Sequence, residues 1–126
     1  MGRVVRDFAA GGDGGVLINA AAYTNVERAE DDPETAYRVN EIGPRILAQA
    51  ARDAGLRFAH VSTDFVFDGT KGAPYVETDE ANPLSVYGAS KWAGDIAVAE
   101  VQVKNARYPV TVFCRKRTGK KVRLAQ

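Results

Sequence analysis

The chain has 126 residues, 45% hydrophobic and 26% charged, with a formal net charge of +1. Those proportions describe one ordinary globular domain and exclude a disordered, collagen-like or disulfide-stapled chain. No apolar run approaches the roughly 18 residues of a membrane helix, and Met1 to Gly15 has no signal-peptide core. Cys114 is the single cysteine, which excludes an intrachain disulfide and a multi-cysteine metal site and leads us to expect the reducing cytoplasm. Residues 115–126 carry six basic groups and no acid, leaving 11 basic against 16 acidic residues in 1–114. The body is therefore mildly acidic and the end of the chain is a different kind of segment.

Residues 1–15, ending in Gly11-Gly12-Asp13-Gly14-Gly15, read as a non-matching, linker-like segment. Val16 to Ala22 is a continuous apolar run of strand length, the pattern of a strand covered on both faces in a parallel sheet. Asp31-Asp32-Pro33-Glu34 combines an N-cap, a first-turn proline and acids where the helix dipole favours them. Ala36, Val39, Gly43, Ile46, Leu47, Ala50 and Ala54 follow at helical spacing until Gly55. Arg57 to Phe67 is the second predicted strand, and residues 70–85 a long loop. Val86 to about Val103 is the next helix, and Tyr108 to Phe113 a third strand. Strand–helix–strand–helix–strand order predicts an α/β fold with right-handed crossovers and a parallel sheet over residues 16–113. Residues 114–126 are expected to be a solvated basic tail. That tail lacks the aromatic interleaving of a nucleic-acid binder.

Ligands of open parallel sheets bind beyond the carboxyl ends of the strands. Three stretches fall there: Asn19 to Thr24, Ser62-Thr63-Asp64, and Tyr87 with Lys91 on the following helix. Tyr87 and Lys91 are four apart and project from one helix face. An ordinary tyrosine titrates near about 10, and a neighbouring ammonium favours its ionised form. With a hydroxyl such as that of Thr63 beside the phenol, the set suits proton delivery to an alkoxide formed when hydride reaches a carbonyl. Taken alone, a Tyr-x-x-x-Lys pair also fits a packed phenol with a solvated lysine. His60, mid-strand and without partner ligands, reads as a packed histidine.

Company makes the pair specific. Ser62-Thr63-Asp64-Phe65-Val66-Phe67-Asp68-Gly69, then Pro74-Tyr75 with Glu77 and Asp79, then Pro83 and Tyr87-Gly88-Ala89-Ser90-Lys91 with Gly94, resemble the extended short-chain dehydrogenase/reductases. Within these the chain is most similar to the dTDP-4-dehydrorhamnose reductase (RmlD or RfbD) family. Asn19-Ala20-Ala21-Ala22-Tyr23-Thr24 with Val26, Ala29 and Glu30, and Val39-Asn40, fit the same family, so the likeness covers about residues 16–97. It implies a partial Rossmann-like doubly wound sheet, the strands corresponding to 4, 5 and 6 of the order 3-2-1-4-5-6. It also implies roles: Tyr87 as proton donor, Lys91 as its modulator and ribose ligand, and Thr63 as partner of the reacting oxygen. Asp64 would lie beside a nucleotide-sugar substrate, and Ala22, Tyr23 and Thr24 along NADPH or NADH. The implied reaction reduces the 4-keto group of dTDP-4-dehydro-L-rhamnose to dTDP-L-rhamnose.

The chain departs from the family at both ends. Nothing before Val16 has the glycine-rich strand–turn–helix that receives a pyrophosphate, and the segment after Phe113 does not continue in the family's manner. A non-catalytic binding or regulatory protein of the same fold, or an inert truncated product, therefore stand as alternatives to a reductase. The strand at Val16 is expected to present an unpaired edge, open to homo-oligomerisation.

Overall fold

The computed structural model describes residues 15–76, 78–103, 111–115 and 121–123. Strand β1 (Val16–Asn19) pairs in parallel with β2 (Arg57–Val61), Val16 opposite Arg57 and Asn19 opposite His60. Strand β3 (Thr111–Arg115) adds in parallel on the other side of β2, with Ala59 opposite Thr111. The expected three-strand parallel order is present. One feature differs: Lys121–Arg123 forms a fourth strand, β4, antiparallel to β3 with Cys114 opposite Val122. Part of the basic segment expected to be a solvated tail thus covers the free backbone of β3. The rest of it lies outside the described residues, as do Met1 to Gly14 and the Cys114 side chain.

Two strands are shorter than their apolar runs. β1 stops at Asn19 because that side chain turns the next residues, its Oδ1 accepting from the Ala21 amide at 3.1 Å. β2 stops at Val61, and Thr63 then caps a 3-10 turn (Asp64–Val66), its Oγ1 accepting from the Phe65 amide. A short helix, α1 (Val26–Asp31), was not legible in the hydrophobic pattern; Asn25 caps it through the Arg28 amide at 3.0 Å. Helix α2 (Pro33–Tyr37) begins as expected, with Asp32 accepting from the Thr35 amide and Pro33 in the first turn.

The helix then widens into a π turn over Arg38–Ile42 before continuing as α3 (Gly43–Asp53). Pro44 has no amide hydrogen for the Asn40 carbonyl, which accounts for a break in ordinary helical pairing there. The α3 end is the one foreseen at Gly55. Gly55 takes φ +69°, its amide donates to the Arg52 carbonyl, and Leu56 donates to Ala51, the Schellman arrangement sealed by apolar contact.

Helix α4 (Val86–Val103) packs on α3, the π turn and the 3-10 turn. Ala48, Ala51, Leu56, Phe58, Val98 and Val101 form the main core between helices and sheet. No described element packs on the opposite side of the sheet, where Val16, Ile18 and Val61 are 42%, 65% and 40% exposed. The prediction of a β1 covered on both faces is corrected to one covered on a single face among the described residues.

Candidate active site

Everything that positions the site gathers at the carboxyl end of β2. Lys91 reaches back from α4 and donates from Nζ to the Val61 carbonyl at 2.7 Å, leaving the residue only 2% exposed. Burial pulls its ammonium below the ordinary lysine range, while the charge of Asp95 acts the other way. Tyr87, one turn earlier, is buried with Ala29 and Ala36 and packs beside Tyr23, Val26 and Val86. The Phe65 ring meets the Tyr87 ring edge-on at 5.4 Å. Thr63 lies two residues beyond the carbonyl that holds Lys91, its hydroxyl donating at 3.5 Å to Asp64. The fold thus brings Tyr87, Lys91 and Thr63 around one strand end, but their polar atoms are not hydrogen-bonded to one another in this structure.

The start of α4 is fixed from two sides. Ser85 Oγ accepts from the Gly88 amide at 3.1 Å, and the Glu30 carboxylate accepts from the Val86 amide at 2.8 Å. Glu30 thereby ties α1 to the helix that carries Tyr87. Gly88 is required by proximity: a Cβ there would lie 2.3 Å from the Phe65 carbonyl oxygen. A side chain would push Tyr87 away from the 3-10 turn.

The loop after β1 carries Ala22, Tyr23 and Thr24, and Asn40 anchors it. Fully buried in the π turn, Asn40 accepts from the Tyr23 amide at 2.8 Å and donates to the Tyr23 carbonyl at 3.1 Å. It also donates to Ser90 Oγ at 3.0 Å, and Ser90 donates to the Tyr87 carbonyl at 2.8 Å. One side chain so holds the loop, the π turn and α4 in register. Asn40 and Ser90 were visible as motif letters, but their bracing role was not, because the partners lie 17 and 50 residues from Asn40.

His60 is wholly buried, as expected of a packed histidine, with Asn19 Nδ2 3.0 Å from its Nδ1. Its Nε2 lies 3.6 Å from Asp95 and 3.5 Å from Lys91 Nζ. Burial first, and the Lys91 charge second, push the imidazole down to about 4; burial pushes the Asp95 carboxyl up to about 6. Ser62, part of the predicted Ser62-Thr63-Asp64 stretch, donates to Asp95, which the motifs do not single out; its one sequence signal is a position four residues after Lys91, on the same helix face.

A cleft of about 320 Å³ is walled by Asp64, Phe65, Phe67, Asp68, Gly69, Leu84 and Ser85; Thr63 adjoins it in sequence, and Tyr87 and Lys91 do not line it. The loop beyond it is shaped by Asp68, which accepts from the Thr70 amide and hydroxyl, the Tyr75 hydroxyl and Asn82. Those donors, the Thr70 amide foremost, hold its carboxyl far below the usual range. Tyr75 stacks on Phe67 at 4.2 Å, and Lys71 pairs with Asp79 at 2.6 Å. The predicted long loop is therefore tied together by its own side chains, and its last two residues, Leu84 and Ser85, reach the cleft.

A parallel sheet with a Tyr-x-x-x-Lys helix laid over the carboxyl end of its second strand is the Rossmann-like arrangement of the short-chain dehydrogenase/reductases. The family model described as "RmlD substrate binding domain" matches residues 3–112, a wider span than the motifs alone cover, and the chain belongs to that family. It is 53% identical over 85 residues to a dTDP-4-dehydrorhamnose reductase of Burkholderia thailandensis, covering 68% of this chain and 28% of that protein. It is 52% identical over 97 residues to that of Mycolicibacterium smegmatis, covering 75% and 28%. Among solved structures, the dTDP-4-dehydrorhamnose reductase of Bacillus anthracis in complex with NADP superposes with a TM-score of 0.77 at 33% identity, over 90% of this chain and 38% of that one. The Clostridium acetobutylicum protein gives 0.73 at 38% identity, over 89% and 39%. The chain thus spans under a third of the length of these two curated relatives.

Proposed function

We propose that the chain carries the reducing site of an NADPH-dependent reductase that converts the 4-keto group of dTDP-4-dehydro-L-rhamnose to the alcohol of dTDP-L-rhamnose. The observation that carries this reading is the gathering of Tyr87, Lys91 and Thr63 at the end of β2, beside a cleft walled by Asp64. The donor set fits the nicotinamide-ribose end of the cofactor. It offers a buried ammonium fixed on a strand carbonyl and a neighbouring phenol, with the braced Ala22-Tyr23-Thr24 loop on the same side of α4. NADPH, when bound, supplies hydride; NADH would supply the same chemistry.

The residues of this chain then have separate tasks. Lys91 holds the ribose hydroxyls and keeps positive charge near the phenol. Thr63 donates to the sugar's carbonyl oxygen, turning from the Asp64 carboxylate it now faces. Tyr87 gives the proton that this oxygen needs once it becomes an alkoxide. Asp64 lines the sugar-nucleotide side. A nucleotide sugar is accordingly the small-molecule partner, and the cytoplasm is the compartment we assign. Among the described residues no helix is long and apolar enough to cross a membrane.

The test is Tyr87→Phe in the full chain. Turnover should fall by about 10²–10⁴-fold, followed as NADPH consumption with dTDP-4-dehydro-L-rhamnose, while NADPH affinity by fluorescence titration stays within about twofold. Unchanged turnover removes Tyr87 from the chemistry. No turnover in the unmodified chain at saturating cofactor overturns the reading for this chain and leaves a binding role.

A further inference from the structure

A buried polar chain lies beneath Lys91 that the reductase reading leaves without a task. It runs from Asn19 on β1 through His60 on β2 to Asp95 on α4, with Ser62 beside it, and none of the four is more than 7% exposed. Its donors and acceptors fix one another. Asn19 Oδ1 accepts from the Ala21 amide, so it is the amide –NH2 that faces His60 Nδ1 at 3.0 Å. Nδ1 is therefore a bare acceptor, and the neutral ring carries its single hydrogen on Nε2. An N–H cannot accept from an ammonium, so Lys91, 3.5 Å away, gives its hydrogen bond to the Val61 carbonyl instead. Asp95 Oδ1 lies 3.6 Å from Nε2, beyond hydrogen-bond distance, and has no hydrogen-bond partner. The other Asp95 oxygen accepts from the Ser62 hydroxyl.

We infer that Asp95, held by the Ser62 hydroxyl with its other oxygen unpartnered beside His60, is a positioning residue for Lys91, its carboxylate supplying the counter-charge that keeps the ammonium seated on the Val61 carbonyl. The inference rests on the reading of Lys91 given above and extends it to groups that are not proposed to touch either ligand. An ammonium this buried is costly unless compensated. A carbonyl dipole compensates in part; a full negative charge acting across a dry site, with an imidazole between, supplies the rest.

The charged groups around the site leave Asp95 this task. His60 is the titratable group that faces Lys91 from β2. On α4 itself are Asp95 and, one turn earlier, Tyr87. Glu30 is spent on the α4 amide, Glu41 on Arg45, and Asp64 accepts from Thr63. With the imidazole neutral, one ammonium and one carboxylate leave the buried cluster with no net charge at neutral pH.

The experiment is a pH titration of the full chain, without cofactor, by NMR on isotope-labelled lysine and histidine, the Lys91 signal being assigned by its loss in Lys91→Arg. In Asp95→Asn the Lys91 ammonium should hold its proton at least about tenfold more weakly, a midpoint lower by about one pH unit. In the unmodified chain the Lys91 and His60 signals should both show an inflection as Asp95 titrates. A Lys91 midpoint unmoved by Asp95→Asn overturns the inference. Should that variant fail to fold, a Lys91 signal in the unmodified chain that ignores the Asp95 titration overturns it equally. No turnover is needed: an inactive chain with a coupled lysine sinks only the reductase reading, and an active chain with an uncoupled one sinks only this inference.

Discussion

Asn40 spends both amide hydrogens and its oxygen on groups from two other segments, Tyr23 and Ser90. His60 is as deeply buried, but with titratable neighbours, and that gives a pH signature. Its imidazole is depressed to about 4, so between roughly pH 6.5 and 4 the unfolded chain binds a proton that the folded chain refuses. Stability contributed by neutral His60 is present above that window and lost as pH falls through it. Asp95, raised to about 6, works in the opposite sense: its folded form takes a proton sooner than the unfolded chain, so it adds stability as pH falls from about 6 to below 4. The two offset in the native chain. Asp95→Asn removes one side, and its thermal stability relative to the unmodified chain should fall by up to about 3 kcal/mol between pH 6.5 and 4. Parallel melting curves across that range would refute the pairing.

The helices meet more closely than hydrophobic periodicity suggests. The expected apolar face of the 33–54 helix includes Ala36, which is buried, but also Val39 and Ile46, which are exposed, while Asn40, Pro44, Ala48 and Ala51 are buried in addition. The π turn widens the helix between its halves, and α4 approaches so closely that only small or compact residues fit. At the crossing, a Cβ on Gly94 would lie 2.0 Å from the Asn40 carbonyl oxygen, which Pro44 leaves without its usual donor. Gly94→Ala must separate α4 from the π turn and should cost about 1–3 kcal/mol, read from denaturant melts. It should also loosen the Tyr23 loop, seen as faster amide exchange at Tyr23. A neutral substitution would mean that the contact is not rigid.

The sheet of the whole molecule is asymmetric. Among the described residues β4 covers β3 on one side, whereas β1 stands at the other edge with Ile18 65% exposed. An apolar edge strand recruits further strands, and we expect the chain to associate at micromolar concentration; a sharply melting monomer by ultracentrifugation would contradict this. A dinucleotide cradled by a doubly wound sheet also needs a glycine-rich strand–turn–helix at its pyrophosphate, and Gly11-Gly12-Asp13-Gly14-Gly15 lacks the spacing of that turn. NADPH should therefore bind this chain alone only weakly. Tight saturation in a fluorescence titration would show that another segment supplies the phosphate contacts.

Local chemistry was enough for much of this. The Asp32-Pro33 helix start, the Gly55 stop, the span of α4 and the parallel strand order follow from capping, left-handed turns and apolar runs, all written within a few neighbouring residues. Tyr87 and Lys91 were likewise readable as a one-turn pair, because helical spacing fixes which side chains share a face. What folding alone decided are the relations between distant segments: the seat of Lys91 on Val61, the clamp of Asn40 on Tyr23, the burial of His60 among Asn19, Lys91 and Asp95, and β4 laid against β3. Such contacts depend on which groups are dried together and at what separation, and that is a property of packing in three dimensions rather than of any stretch of chain.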